Sequence, residues 1–353
     1  MARNMVRTNE AAFRAFSVRL VSRQAEDAKR WIKTNDAEKS WLKNVEWIDE
    51  FRFDPNNWII QCRHEGRLYY ITIGFELDDL TDQEPLQDVE LNAGLFTALL
   101  AEKEIVRPDV DEIEVLDRAL IPAGDGYDGQ HWEDLRDLCR PIALLSVVSD
   151  TPMSEAKSAE SALQRSALYC MASAKKMRSL PYSSRAVDYC KTLASDIDAR
   201  VPWGLLAYAL VAVRWDHAYL EVYRCIERLF PLPKMLELKQ TLQVHYPGLT
   251  LSKDIEGTLG WRQREEDGMI SLFEAADALS CRFYGAYSAH WTDGPEEHTV
   301  KSMAQHFYKL RNSIVHFRPI TEQQPFTYQR WVVVMEHFIE LMAELYREFA
   351  DEL

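Results

Sequence analysis

An arginine, an amide and a histidine lie close together near the C-terminus of the chain, within the segment from Gln305 to Arg318. Arg311 is followed directly by Asn312, and His316 comes five positions after the arginine. An arginine beside a phosphodiester can stabilise the charge that develops on the phosphoryl group, and a histidine can take a proton from a ribose hydroxyl or give one to the leaving oxygen. The three residues therefore predict phosphodiester cleavage that requires neither a metal ion nor another cofactor.

The spacing of this array is not distinctive by itself. A second arginine, Arg330, precedes His337 at a similar distance, but the residues between them are typical of a protein core. On an ideal helix Arg311 and His316 lie about 140° apart, whereas Asn312 and His316 share one face. Two copies of the array that meet across a two-fold axis would converge more easily. The structural alternative is that Arg311 forms a salt bridge and His316 is a partly buried helix residue.

Three further residues are candidates for the same site. Lys309 and Arg318 flank the array and could hold substrate phosphates, and Glu227, in an earlier amphipathic segment, could orient the arginine or the histidine. Each is also compatible with an ordinary solvated position. His298 and His306 precede the array, but neither has the spacing of a metal-binding pair, so we expect no metal site.

The charge of the chain is strongly polarised along its length. The 353 residues contain 41 Lys and Arg against 56 Asp and Glu, and the net charge of −15 argues against a protein that coats nucleic acid generally. The segment 81–137 contains 16 acidic and four basic residues, a net charge of −12, whereas 298–330 carries +4. The C-terminal segment is therefore the part suited to RNA, and the acidic segment is a candidate surface for a regulatory protein partner.

The patterns of apolar residues predict an α+β protein. Residues 1–50, including Trp47, have helical spacing, whereas Trp58–Cys62 and Leu68–Phe75 flank a glycine turn and predict a β-hairpin. We expect one or two further strands within Glu104–Ile121, and almost only helix after Pro141. The N-terminal part is therefore expected to be a mixed α/β domain.

The C-terminal part is predicted to be an all-α helical bundle. A long apolar helix is expected from Pro202 to Phe230. Further helices are expected at about 234–245, 265–285, Pro295–Phe317 and Tyr328–Leu353. We divide the chain into an N-terminal domain (1–150), a helical connector (151–200) and the bundle (201–353).

The sequence predicts neither a membrane span nor a signal peptide. The longest uncharged apolar run, Val201–Val213, is shorter than the roughly 20 residues that a span needs, and the N-terminus lacks an apolar signal core. The six cysteines form no C-x-x-C pair, which favours reduced, buried thiols. We therefore expect a cytoplasmic protein with no membrane partner.

The array and its surroundings resemble the signature of the HEPN (higher eukaryotes and prokaryotes nucleotide-binding) family, in which an arginine and a polar residue precede a histidine. The match lies at Arg311, Asn312 and His316, in a helix that also contains Phe307 and Tyr308. The segment 219–230 is similar to the first bundle helix of HEPN branches associated with phage defence and abortive infection. The resemblance covers about residues 200 to 353.

This resemblance implies a helical bundle that forms a homodimer, in which two Arg–His pairs create one cleft for RNA. It implies a metal-independent endoribonuclease that leaves a 2′,3′-cyclic phosphate and acts as a toxin or antiviral effector. His316 would be the general acid or base, Arg311 would stabilise the transition state, and Asn312 would position either. Arg318 replaces the tyrosine that some members use for regulation by nucleotide transfer. Because many members have lost catalysis, the alternative is a silent scaffold or sensor whose acidic N-terminal part binds a partner protein.

Overall fold

The protein is described here from a computed structural model. The structure describes residues 2–20, 29–78, 80, 84–122, 126–149, 151–154, 159–174, 176–196, 200–288, 299–316 and 327–353. The chain forms two compact units, an N-terminal unit of Met1–Leu163 with Ala174–Lys176 and a C-terminal unit of Gln164–Ser173 with Met177–Leu353. The division falls within the segment that we assigned to a connector from the sequence.

The N-terminal unit contains a five-stranded antiparallel sheet. Its strands are β1 (Glu46–Arg52), β2 (Trp58–His64), β3 (Arg67–Ile73), β4 (Leu86–Val89) and β5 (Ile142–Val147). Their order in the sheet is β1-β2-β3-β5-β4. β2 and β3 form the predicted hairpin, in which His64 pairs with Arg67 across Glu65 and Gly66, both with positive φ. The predicted hairpin is therefore confirmed.

Helices cover this sheet with an apolar layer. They are α1 (Met5–Ser17), α2 (Asp36–Asn44), α3 (Ala93–Glu102), α4 (Glu112–Arg118) and α5 (Trp132–Arg136). Every residue of α3 from Ala93 to Leu100 is buried, as expected for a helix that is apolar on all sides. A Cβ atom at Gly94 would lie 1.8 Å from the carbonyl oxygen of Glu38 in α2, so the glycine permits this close approach. α3 is therefore a central part of the N-terminal core.

Three predictions for the N-terminal unit are wrong. Trp47 lies in β1 and not in a helix. The segment expected to contain strands holds α4 instead, because the side chain of Asp111 caps the helix by accepting hydrogen bonds from the backbone of Ile113 and Glu114. A strand, β5, follows Pro141, where we expected only helix. A short apolar run such as that of β5 is compatible with a strand or a helix when it is considered alone. In the structure β5 pairs with β3 on one side and with β4 on the other.

The second half of the chain consists of helices and their connections in its described residues. The helices are α6 (Ala159–Ser173), α7 (Ser184–Asp196), α8 (Trp203–Val211), α9 (Trp215–Glu227), α10 (Leu232–Leu242), α11 (Gly248–Leu259), α12 (Glu265–Ala275), α13 (Asp277–Ser288), α14 (Val300–Val315) and α15 (Tyr328–Glu348), followed by a 3-10 turn at Ala350–Glu352. The chain is thus α+β, with its sheet in the N-terminal half.

An aromatic column fixes α9, α14 and α15 to one another. The ring of Phe338 stacks on Tyr219 at 4.9 Å and on Phe307 at 5.0 Å between centroids. The hydroxyl of Tyr219 also donates a hydrogen bond of 3.0 Å to the backbone oxygen of Phe307. Aromatic pairs of this kind add roughly 0.5–1.5 kcal/mol each beyond the burial of their surface. These contacts hold α9 and α14 beside each other.

The long helix expected from Pro202 to Phe230 is two helices, α8 and α9. The break comes before Trp215, where Arg214 has an extended backbone and pairs with Asp216 at 2.6 Å between Nη2 and Oδ2. The single helix expected at 265–285 is likewise divided into α12 and α13. The helix α11 was not predicted. Local breaks of this kind leave the amphipathic pattern nearly intact, so periodicity alone does not reveal them.

The last two helices lie close to their predicted positions. The predicted ends of α14, residues 295–298 and 317, are outside the described residues. None of the helices among the described residues is long and apolar enough to cross a membrane. Five of the six cysteines are buried free thiols, whereas Cys281 is exposed.

Candidate functional site

The amphipathic character of α14 determines where the predicted array lies. The helix begins with a capping box in which Thr299 and Ser302 satisfy each other's backbone groups. Its buried face includes Met303, Phe307 and Leu310, spaced by three or four residues. Arg311 follows this face directly and is only partly exposed.

The guanidinium of Arg311 has three neighbours in the C-terminal unit. Its Nη1 donates a hydrogen bond of 2.9 Å to Oδ1 of Asn312, and its Nη2 donates one of 3.2 Å to Oε1 of Glu265 in α12. Its Cζ lies 5.8 Å from the centre of the Tyr223 ring in α9. The arginine is therefore held between residues of three helices, α9, α12 and α14.

Tyr223 brings a buried hydroxyl to this place. The residue is 1 % exposed, and its Oη has no hydrogen-bond partner among the described residues. Burial raises the pKa of Tyr223, and the charges of Glu265 and Glu227 raise it further. The phenol therefore stays protonated and retains a hydrogen-bond donor that no described group uses.

Glu227 lies one helical turn after Tyr223 on α9, so the two residues share a face. It is half-buried, and burial raises its pKa, as does the negative charge of Glu265. Arg311 acts on the same carboxyl in the opposite direction. The expectation that Glu227 lies near the arginine is thus supported by the electrostatics of the site.

We call the residues Tyr223, Glu227, Glu265, Arg311 and Asn312 the Arg311 cluster. It contains one guanidinium and two carboxyl groups. When both carboxyl groups are ionised, the cluster carries a net negative charge. A carboxylate and a phosphate compete for the same guanidinium donors. An anion that approaches Arg311 from the side of Nη2 therefore competes with Glu265 for its donors.

His316 lies outside this cluster. It is the C-terminal cap of α14, with an extended backbone, and its N–H donates a hydrogen bond of 2.9 Å to the backbone oxygen of Asn312. Its side chain is exposed, and none of the contacts of Arg311 within the described residues involves it. The alternative given for these residues was a salt bridge of Arg311 and a partly buried His316. Arg311 does form a salt bridge, whereas His316 is exposed and not partly buried.

The other candidate residues have different positions. Lys309 is exposed on α14, whereas Arg318 and His298 lie outside the described residues. His306 has its Nε2 atom 3.0 Å from the hydroxyl oxygen of Tyr287. Burial lowers the pKa of His306 to about 4, with a further contribution from Lys309, so this histidine is neutral at physiological pH.

No group of three or more His, Cys, Asp or Glu side chains among the described residues is arranged to hold a metal ion. The cysteines of the C-terminal unit do not contribute to the Arg311 cluster either. Burial raises the pKa of Cys225, which lies on α9 but donates its thiol hydrogen to the backbone oxygen of Glu221. The cluster therefore depends on carboxyl, phenol, amide and guanidinium groups alone.

Two members of the cluster, Tyr223 and Glu265, were not predicted from the sequence. Tyr223 belongs to an apolar stripe whose spacing predicts a core position. Glu265 stands in the run Glu265-Glu266-Asp267, which has the usual composition of a first helical turn. The sequence gives no signal that would distinguish Glu265 from its neighbour, because only packing of α12 against α14 brings it to Arg311.

The chain was compared with protein-family models, with curated proteins and with solved structures, and nothing matched in any of the three comparisons.

Proposed function

We propose that the protein is a metal-independent endoribonuclease of the HEPN type, in which Arg311, Asn312 and His316 carry the reaction. The observation that carries this proposal is the position of Arg311, which is partly buried, oriented by Asn312 and followed within five residues by an exposed histidine at the end of the same helix. Phosphodiester cleavage by a ribose hydroxyl requires a fixed guanidinium and a proton carrier that can be brought to it.

In the proposed reaction a histidine takes the proton of the 2′-hydroxyl, and the 2′-oxygen attacks the adjacent phosphorus. Arg311 stabilises the negative charge that accumulates on the non-bridging oxygens. The bond to the 5′-oxygen breaks, and this oxygen receives a proton from a second acid. The products are a 2′,3′-cyclic phosphate and a 5′-hydroxyl end.

A homodimer would bring the arginine of one chain to the histidine of the other. His316 has no contact with the guanidinium of its own chain among the described residues. It would meet the Arg311 of a second copy that packs against the end of α14. Val315, beside the histidine, is 47 % exposed and offers apolar surface for such packing. Lys309 and Arg318 would add positive charge to the shared cleft, and Glu227 would orient Arg311.

Cleavage of RNA in the presence of EDTA tests this proposal. Wild-type protein should cut a mixed RNA substrate, and Arg311→Ala and His316→Ala should each reduce the rate by at least about 100-fold. Arg282→Ala and His217→Ala replace exposed residues of the same types elsewhere in the unit and should cut at the wild-type rate. The assignment is wrong if the first pair of variants retains wild-type activity.

The biological role proposed with this activity is that of a toxin or antiviral effector in the cytoplasm. Expression of the wild-type protein should then arrest cell growth, and expression of His316→Ala at the same level should not. Growth arrest by both proteins would argue against a role for RNA cleavage.

A silent scaffold or sensor is the second candidate function, and one feature of the N-terminal unit favours it. A cleft of about 960 Å³ is lined by seven acidic residues, among them Glu90, Glu114 and Glu133, and by four arginines, beside Trp132. Its net negative charge favours a partner protein over RNA, and its mixture of charged and apolar groups is typical of a protein-binding surface. Absence of cleavage on any RNA, together with a stable complex on pull-down that Glu133→Lys weakens, would favour this alternative.

A further inference from the structure

Two of the five N–H donors of Arg311 are already in use. Nη2 pairs with Glu265 at 3.2 Å, and Nη1 bonds to the amide oxygen of Asn312 at 2.9 Å. The side chain of Arg311 is 19 % exposed and that of Glu265 is 37 % exposed. Arginine binds carboxylate and phosphate oxygens with the same donors and similar geometry. Glu265 therefore occupies one of the positions at Arg311 that a phosphate oxygen could take, on the side of Nη2.

The surrounding charge opposes the entry of a phosphate as well. Glu227 on α9 and Glu265 on α12 both act electrostatically on the phenol of Tyr223, and Arg311 is the cation that acts on it in the opposite sense. A phosphodiester that approached this arrangement would meet two carboxyl groups and one guanidinium that is already neutralised. The cluster in this state is expected to bind RNA weakly.

We propose that Glu265 is an internal competitor of the RNA phosphate, and that its ion pair with Arg311 holds the site in a self-inhibited state. This inference rests on the proposed function, because it assigns the regulation of the same site. When substrate binds, the carboxylate of Glu265 leaves Arg311 for solvent and a phosphate oxygen replaces it. Asn312 keeps its hydrogen bond and holds the guanidinium in place during the exchange.

The backbone of α12 does not have to move in this exchange. A Cβ atom at Gly268 would lie 2.8 Å from Cβ of Phe230, so the helix packs closely on the chain segment that follows α9. Glu266, which follows Glu265 in the sequence, accepts a hydrogen bond of 3.1 Å from Gln305 of α14. These contacts fix the helix, while the partial exposure of Glu265 leaves its side chain free to rotate toward water. The switch is therefore a change of one side chain.

The test compares two neighbouring glutamates in the full-length protein. Glu265→Gln removes the competing charge, and Glu266→Gln makes the same change of charge and size in the same helical turn but away from Arg311. Binding is measured with a 2′-O-methyl RNA oligonucleotide, which cannot be cleaved through its 2′-oxygen, and cleavage is measured with the matching RNA. We expect Glu265→Gln to bind the oligonucleotide about fivefold to tenfold more tightly and to cleave faster, and Glu266→Gln to behave as wild type.

Failure of this inference is distinguishable from failure of the proposed function. If Glu265→Gln binds no more tightly, or cleaves more slowly, while cleavage still depends on Arg311, then Glu265 positions the arginine and the competitor model is wrong. If no variant cleaves RNA but Glu265→Gln binds it more tightly than Glu266→Gln, the competitor model stands and the ribonuclease assignment fails. Circular dichroism spectra of both variants control for folding.

Discussion

Arg311 and Glu265 join α14 to α12 through a salt bridge of 3.2 Å. The positive charge of Arg311 also interacts with the carboxyl group of Glu227 on α9. Arg311 therefore interacts with two acidic residues. Because the bridge is partly exposed, its own contribution to stability is modest. Removal of the arginine, however, leaves the partly buried carboxylate of Glu265 without its ion-pair partner, and leaves Glu227 with the charge of Arg224 alone.

A double-mutant cycle separates the contribution of the Arg311–Glu265 salt bridge from the other effects of removing Arg311. We expect Arg311→Ala to lower the free energy of unfolding by about 1–2 kcal/mol, since it also removes the contact with the ring of Tyr223. Glu265→Gln alone should have a smaller effect, and the double variant should show a coupling energy of about 0.5–1 kcal/mol. Urea unfolding followed by circular dichroism provides the values. Additive single effects would show that the bridge contributes nothing to stability.

The sequence predicted the part of this site that depends on one helix. The apolar spacing of α14 determines that Arg311 and Asn312 follow a buried face, and the helix forms where the pattern indicates. Glu265 and Tyr223 could not be predicted, because each reaches Arg311 from another helix and their own segments look like an ordinary helix start and an ordinary core stripe. The same limit explains β5, whose apolar residues are compatible with a helix until β3 and β4 are placed beside them.

Two buried tyrosines on α9 give a matched pair of hydroxyl deletions. Tyr223→Phe removes a hydroxyl that has no hydrogen-bond partner among the described residues, so the free energy of unfolding should stay the same or rise by up to about 1 kcal/mol. Tyr219→Phe removes a second donor from the backbone oxygen of Phe307, which keeps only its bond within α14, and this loss should cost about 1 kcal/mol. Thermal unfolding distinguishes the two. Equal losses in both variants would mean that the Tyr223 hydroxyl has a structural partner.

The carboxyl of Glu227 should make stability depend on pH. Its pKa in the folded protein lies above its ordinary value of 4.5, chiefly because of burial, so the folded state binds the proton more tightly than the unfolded state does. Stability is therefore lost as the pH rises through the folded pKa and is regained in more acidic solution. Glu227→Gln should raise the melting temperature by about 2 °C at pH 7, and the difference should disappear at a pH below the ordinary value.

Glu274 on the same unit's α12 is the control for this measurement, because its side chain is exposed. Glu274→Gln should give the same melting temperature as the wild type within error at each pH. If the difference in melting temperature between Glu227→Gln and the wild type stays constant from pH 4 to pH 8, the pKa of Glu227 is not raised by folding.

Mixing of two inactive variants tests whether the reactive groups come from different chains. Arg311→Ala and His316→Ala each lack one group, but a mixed dimer contains one site with the arginine of one chain and the histidine of the other. Random exchange makes half of the dimers mixed, with one of their two sites intact, so the mixture should recover about a quarter of the wild-type activity. Mixing either variant with further copies of itself should recover none. If the equilibrated mixture stays inactive although chain exchange is demonstrated with labelled protein, the arginine and the histidine must act within one chain, and His316 would have to turn toward its own Arg311 when RNA binds.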